Sequence, residues 1–335
     1  MKRRRLVILG VAVVLLGASA ALWDASNQVL YPYVRDERWQ AAFETRCEPW
    51  LDDVAYADLR GGGVAGDRPL ELSCAQAAQL PGVDHEARRD DGKKVRWRQY
   101  PGPAQSPIWL HVHGGTGHLL HGTRYLPPAR RLGFRLAVME LGNHGRSWHD
   151  GRGVAMGCLE GDDVAAVVAD VARLEPGVPL LVHAASMGTM AAVRGLAGAP
   201  PAHVKALVLE GPLPSLGHIL REGRNVPRVP GMVAAVVAWL AGVRRGVDFE
   251  ACAPLHRLKD VAIPTWVVGT AQDNLVPRNW LDVTAQRLPA AAGVVVTQFE
   301  KGAHAAVWNG QPQAYEDGVA ALWARAVAGG VNPGR

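Results

Sequence analysis

Beyond its first five residues the chain has almost no net charge. Four of its five net positive charges are Lys2, Arg3, Arg4 and Arg5, which leaves about +1 for the remainder. That balance excludes the basic surface through which nucleic acid is bound. Charged residues are only 20% of the chain against 48% apolar ones, so the bulk of it is not a disordered polymer. Cysteine is scarce as well. Cys47, Cys74, Cys158 and Cys252 stand far apart with no C-x-x-C pair, which removes the common zinc and dithiol redox signatures. Internal repeats and low-complexity segments are missing too. What is left is a globular chain of 335 residues, long enough for one large α/β domain with extensions.

The terminal basic cluster opens onto residues 6–23, which carry no charge at all. A positive flank followed by an apolar stretch is the pattern of a secretory signal or of a single spanning helix. The stretch is near the short limit for spanning, and Ala18-Ser19-Ala20 matches a small-residue cleavage site, so signal and anchor both stand. Under the positive-inside rule the basic end stays in the cytoplasm and the rest lies outside it, periplasmic or otherwise extracytoplasmic. Membrane association would then run through residues 6–23. The four cysteines suit an oxidising compartment and allow two disulfides in three connectivities; Cys47–Cys74 is favoured because both lie in the N-terminal extension.

Residues 24–92 read as a linker and an irregular or partly helical extension. From residue 93 short apolar runs alternate with helical patterns. Strands are expected over 95–100, 107–112, 135–141, 179–183, 205–209, 264–269 and 293–299. Helices are expected near 127–132, from Asp162-Asp163 as a cap through 171, from 187 onward, and over 314–327. Strands alternating with helices imply a mostly parallel sheet covered on both faces. Residues 212–260 interrupt that rhythm with Pro227, Pro230 and an all-apolar stretch, 232–243. The expected organisation is a signal or anchor over 1–23, an extension over 24–92, and a catalytic domain over 93–330 with an insertion at about 212–260.

The segment that points to chemistry is Leu180-Leu181-Val182-His183-Ala184-Ala185-Ser186-Met187-Gly188. An apolar strand, a small residue, a serine two positions on and a glycine two further resemble the nucleophile elbow of the α/β-hydrolase family. Small neighbours suit a turn so tight that the serine hydroxyl stands clear of the sheet; here Ala184 replaces the usual first glycine. His113-Gly114-Gly115-Thr116-Gly117 resembles the family's His-Gly loop. Thr270-Ala271-Gln272-Asp273-Asn274-Leu275-Val276-Pro277 resembles the loop of its acid, and Glu300-Lys301-Gly302-Ala303-His304-Ala305 that of its histidine. Glu140 to Ser147 keeps the family's His-Gly-x-Ser ending but lacks its upstream arginine, and carries no chemistry.

The resemblance spans about residues 93–328 and is nearest to the monoacylglycerol lipase and serine aminopeptidase-like group. It implies an α/β-hydrolase fold with a short lid at 212–260 and a triad of Ser186 as nucleophile, Asp273 as orienting acid and His304 as general base. The backbone N–H groups of Met187 and Gly115 would form the oxyanion hole. The implied reaction is hydrolysis of a carboxylic ester, lipids and thioesters included, with no cofactor and no metal. The stretch 232–243, in the lid, would either wall an acyl pocket or be a helix buried for stability.

Other readings compete. The same triad serves a periplasmic peptidase or amidase, and a hydrolase fold can serve binding alone. Glu210, at the end of the strand before Asp273's, is a rival acid. His111, His113, His118 and His121 crowd together with a metal-ligand spacing, though no acidic residue lies among them.

Overall fold

The computed structural model describes residues 2–32 and 79–328, apart from 116, 199, 225, 227 and 228, with side chains omitted at 2–15 and 121. Cys47, Cys74 and most of the 24–92 extension lie outside the described residues.

Eight strands form one sheet: β1 (Val83–Arg88), β2 (Lys94–Gln99), β3 (Ile108–Val112), β4 (Arg135–Met139), β5 (Leu180–Ala185), β6 (Val204–Glu210), β7 (Thr265–Thr270) and β8 (Val295–Phe299). Their order is β1-β2-β4-β3-β5-β6-β7-β8. The β1–β2 and β2–β4 pairs are antiparallel. Every pair from β4 to β8 is parallel. Parallel neighbours require crossovers, and the helices that make them cover both faces. That is why β3, β4, β5 and β7 are buried along their whole length and read as largely apolar runs. The sheet starts at Val83, ahead of the residue 93 boundary read from the sequence; Val83-Asp84-His85-Glu86-Ala87-Arg88 is too polar to announce a strand.

The helices used below are α1 (Lys2–Leu30), α2 (Leu126–Arg131), α3 (Glu160–Leu174), α4 (Met187–Leu196), α5 (Leu216–Glu222), α6 (Gly231–Arg245), α7 (Arg278–Arg287) and α8 (Pro312–Ala328). One face of the sheet packs Leu110, Val112 and Val182 against Val164 and Val168 of α3, Met190 of α4 and Trp280 of α7. The other packs Trp109, Val208 and Val268 against Leu126 of α2 and Tyr315, Val319 and Leu322 of α8. Asp162 and Asp163 do not cap α3, contrary to expectation. The helix starts at Glu160, and Asp163 is buried, accepting hydrogen bonds from Arg89 (2.8 Å), Trp148 Nε1 (2.7 Å) and Gly142 N (2.7 Å).

A third apolar cluster lies outside the sheet, where Val29 and Leu30 of α1 meet Leu216 of α5 and Val237 and Ala241 of α6. Arg244 of α6 lies over the Trp23 ring, 3.7 Å from its centroid, and bonds Asn27 Oδ1 (2.6 Å) and Ser26 Oγ. Val154 N donates to Leu30 O (2.7 Å), tying the end of α1 to the loop before α3. Cys158 and Cys252 form a disulfide joining that loop to the segment after α6. Among the described side chains, no helix is long and apolar enough to cross a membrane; those of α1 begin at residue 16.

Candidate active site

The parallel strands end level with one another: Val112 of β3 lies opposite Ala184 of β5, and Ala184 opposite Leu209 of β6. The loops leaving them therefore meet above one edge of the sheet, the carboxyl edge where open α/β sheets build their sites. Ser186 stands at the turn from β5 to α4 with φ 53° and ψ −123°. A serine at positive φ is strained, by roughly 1–3 kcal/mol, and the surroundings hold it there. Its N–H donates to Glu210 O (2.9 Å). Gly188 lets α4 approach β3: a Cβ there would sit 2.5 Å from Val112 O and 2.6 Å from His113 O. Ala184, two residues before the serine, is fully buried within β5, and its methyl belongs to the core. The departure from glycine at that position is absorbed by packing.

The structure brings Ser186, His304 and Asp273 together. His304 Nε2 is 2.7 Å from Ser186 Oγ, and its Nδ1 is 2.9 Å and 3.1 Å from the two Asp273 oxygens. Asp273 Oδ1 also accepts from Leu275 N (2.8 Å) and Val276 N (2.7 Å), which fixes the carboxylate plane. With the proton on Nδ1 facing the carboxylate, Nε2 keeps its lone pair for the serine hydroxyl. Burial works against charge on His304, and the Asp273 carboxylate outweighs it, so its pKa lies above the ordinary imidazole value. Burial likewise opposes ionisation of Asp273, but the charge and hydrogen bond of His304 and the two backbone donors hold its pKa down.

Two peptide planes border the serine, and both are pinned from behind. Ser186 O accepts from Thr189 N (2.8 Å) and Thr189 Oγ1 (2.6 Å). In a trans peptide the next N–H points opposite to the carbonyl, so the Met187 N–H is turned away from the helix. Gly114 O accepts from Gly117 N (3.0 Å) and from His113 Nδ1 (2.7 Å). His113 Nε2 accepts from Leu141 N (3.0 Å), which leaves its proton on Nδ1 for that bond. The Gly115 N–H is thereby oriented in the same way. Ser186, His304, Gly114 and Gly115 line a cavity of about 70 Å³, closed on another side by Arg124 and Ala305.

Glu210 does not reach the His304 ring nitrogen as a rival acid. Its carboxylate accepts from His183 Nε2 (2.9 Å), Tyr315 OH (2.8 Å), Tyr125 OH (3.3 Å) and Val307 N (2.9 Å). Burial opposes its charge, yet His183, the nearby Arg124 and the Val307 N–H hold its pKa below the ordinary carboxylate value. His183, also fully buried, is pushed by desolvation towards its neutral form. The pair braces the loop that carries His304, as does Arg124, which donates to Ala305 O beside it. Reading the sequence misses Thr189, Arg124 and the Glu210–His183 pair. Of these only Glu210 leaves a signal, an acidic residue ending an apolar strand.

The histidine cluster is scattered by the fold. His111 Nδ1 faces His183 Nδ1 (2.8 Å), His113 serves the glycine loop, His118 Nδ1 accepts from Leu120 N (3.2 Å), and the side chain of His121 lies outside the described residues. Among the described residues, no three or more His, Cys, Asp or Glu side chains are grouped to hold a metal ion. The Glu140 to Ser147 segment is a structural staple: buried Glu140 accepts from Arg146 N (2.9 Å), and its carbonyl takes the Ser147 hydroxyl (2.5 Å).

No family model and no curated protein matches this chain. Solved structures do. An esterase of Pyrococcus furiosus, Pf2001, superposes with a TM-score of 0.57 at 17% identity, covering 78% of this chain and 99% of its own. Est1E of Butyrivibrio proteoclasticus, solved with ferulic acid, gives 0.53 at 15% identity over 73% and 99%. A membrane phospholipase A, described as a bacterial virulence factor, gives 0.51 at 16% identity over 97% and 99%. At such identities the likeness establishes architecture: this is an α/β-hydrolase fold.

Proposed function

We propose that the protein is a serine hydrolase cleaving carboxylic esters through an acyl-serine intermediate. The observation that carries this reading is the unbroken contact from Asp273 through His304 to Ser186 Oγ. Ser186 Oγ attacks the carbonyl carbon while His304 Nε2 takes its proton. Negative charge develops on the carbonyl oxygen, for which the N–H groups of Met187 and Gly115 are the donors. Such a donor is worth roughly 100- to 1000-fold in rate. The intermediate collapses, His304 returns the proton to the leaving alkoxide, and the alcohol departs. Water then attacks the acyl-serine, with His304 again as base, and releases the acid. Thioesters and amides fit the same steps. The esterase and phospholipase neighbours favour a small-molecule ester or lipid as substrate, and an apolar one suits the lid.

An exported enzyme suits the remaining features. The Cys158–Cys252 disulfide belongs to an oxidising compartment, in line with the basic-flanked run at 6–23. Leu16 and Trp23 on α1, and Met232, Trp239 and Val243 on α6, are exposed apolar side chains suited to a membrane surface.

A fluorophosphonate probe is expected to label the native protein and not Ser186→Ala. A series of chromogenic esters and aminoacyl amides then ranks the bond types. Labelling that persists in Ser186→Ala, or none in the native protein, refutes the proposal; faster turnover of the amides makes the enzyme a peptidase.

A further inference from the structure

An apolar cavity beside the candidate active site is walled by the N-terminal helix. It measures about 450 Å³, within the range of small-ligand sites. Leu22, Ala25 and Val29 of α1 form one wall, at the spacing that places them along one helical face. Ile219 of α5 and Val233 and Val237 of α6 form the opposite wall. Gln28 is the polar side chain on the rim, and its amide donates to Asp24 (2.8 Å), one turn back on the exposed side of the helix. A lining of this kind suits apolar ligands.

Its position gives it a substrate. Pro32, just past the end of α1, lines the cavity. A Cβ built on Gly115 would lie 3.7 Å from Pro32 Cγ and 3.5 Å from Met187 Sδ. The apolar cavity thus abuts the glycine that lines the small cavity around Ser186 and His304. An acyl chain leaving a carbonyl over Ser186 past Gly115 would meet Pro32, a residue of the apolar cavity's lining. α6 divides its faces accordingly: Val237, 4% exposed, and Val233, 37% exposed, line the cavity, while Met232, 79% exposed, and Trp239, 67% exposed, are not part of its lining.

We infer that the cavity between α1, α5 and α6 is the acyl-chain site of the substrate, and that the N-terminal helix is part of substrate recognition. This rests on the hydrolase reading for the identity of the ligand, but binding tests it without turnover. The full-length Ser186→Ala protein is titrated calorimetrically with methyl esters from butanoate to decanoate. Affinity is expected to rise about fourfold per methylene, the equivalent of ~0.8 kcal/mol. Ala25→Trp and, independently, Val233→Trp fill the cavity from opposite walls and are each expected to flatten that dependence. Asp24→Trp puts the same bulk on the exposed side of α1 and is expected to retain it. A flat series in the Ser186→Ala parent, or a series undiminished in the filled variants, overturns the inference. Fluorophosphonate labelling of the native protein is scored separately: normal labelling with a flat series removes only the acyl site, whereas chain-length dependence without labelling removes the catalytic reading.

Discussion

The His304 imidazole lies between two opposing effects. Burial favours its neutral form, and the Asp273 carboxylate at 2.9 Å favours the cation; the carboxylate prevails, and the pKa rises. Only the neutral ring has a lone pair on Nε2 for the serine proton. The rate constant kcat/KM for an ester is therefore expected to fall as pH drops through a value above the ordinary imidazole pKa of about 6.5. Asp273→Asn removes the largest effect that opposes burial. In a pH–rate profile its acid limb should move to lower pH, while the plateau falls by roughly 10³- to 10⁴-fold. An acid limb that stays in place would show that Asp273 does not set the charge of His304. Glu210→Gln should behave differently, because Glu210 serves the loop rather than the ring. Urea melts are expected to show a loss of about 1–3 kcal/mol from disturbed buried donors, with a smaller fall in rate than in Asp273→Asn.

Elements outside the sheet hold α6 in position. α6 has an inward apolar face against α1 and α5, and its last turn is anchored to α1 through Arg244. The Cys158–Cys252 bond closes a span of 94 residues and ties the loop before α3 to the segment after α6. Closing so long a span removes much of the unfolded chain's freedom. Replacing both cysteines by serine is expected to lower unfolding stability by about 2–4 kcal/mol, read as a lower urea midpoint. A midpoint unchanged by both substitution and reductant would mean that the bond does not form in solution.

For the molecule as a whole, topology sets where the candidate site forms. Loops from β3, β5, β7 and β8 converge on one edge, so residues far apart in the chain meet: Gly115, Ser186 and His304 line one cavity, and Asp273 bonds His304. The end of α1 lies beside that edge, with Pro32 against Gly115. If the chain is exported with its basic end inside, alkaline phosphatase fused after residue 328 should be active in intact cells. Green fluorescent protein at the same junction, carried out unfolded, should be dark. The opposite result places the domain in the cytoplasm.

Strands β3 to β7 are legible in the sequence because the parallel sheet is covered on both faces, so each reads as a largely apolar run closed by glycine, proline or a polar turn. Ser186, Asp273 and His304 are legible because each follows such a run in a fixed order. β1 is not: it lies at the sheet edge, where one side faces water and its side chains are charged. Thr189, Arg124 and the Glu210–His183 pair leave little trace, since buried polar groups are chosen by partners distant in the chain rather than by their neighbours. Local sequence determined the elements and the candidate site residues, through periodicity and turn chemistry that act over a few residues. Only tertiary structure decided that Cys158 meets Cys252, that Glu210 braces a loop instead of serving the imidazole, and that the N-terminal helix walls a cavity. Those outcomes depend on contacts between segments that packing alone brings within reach.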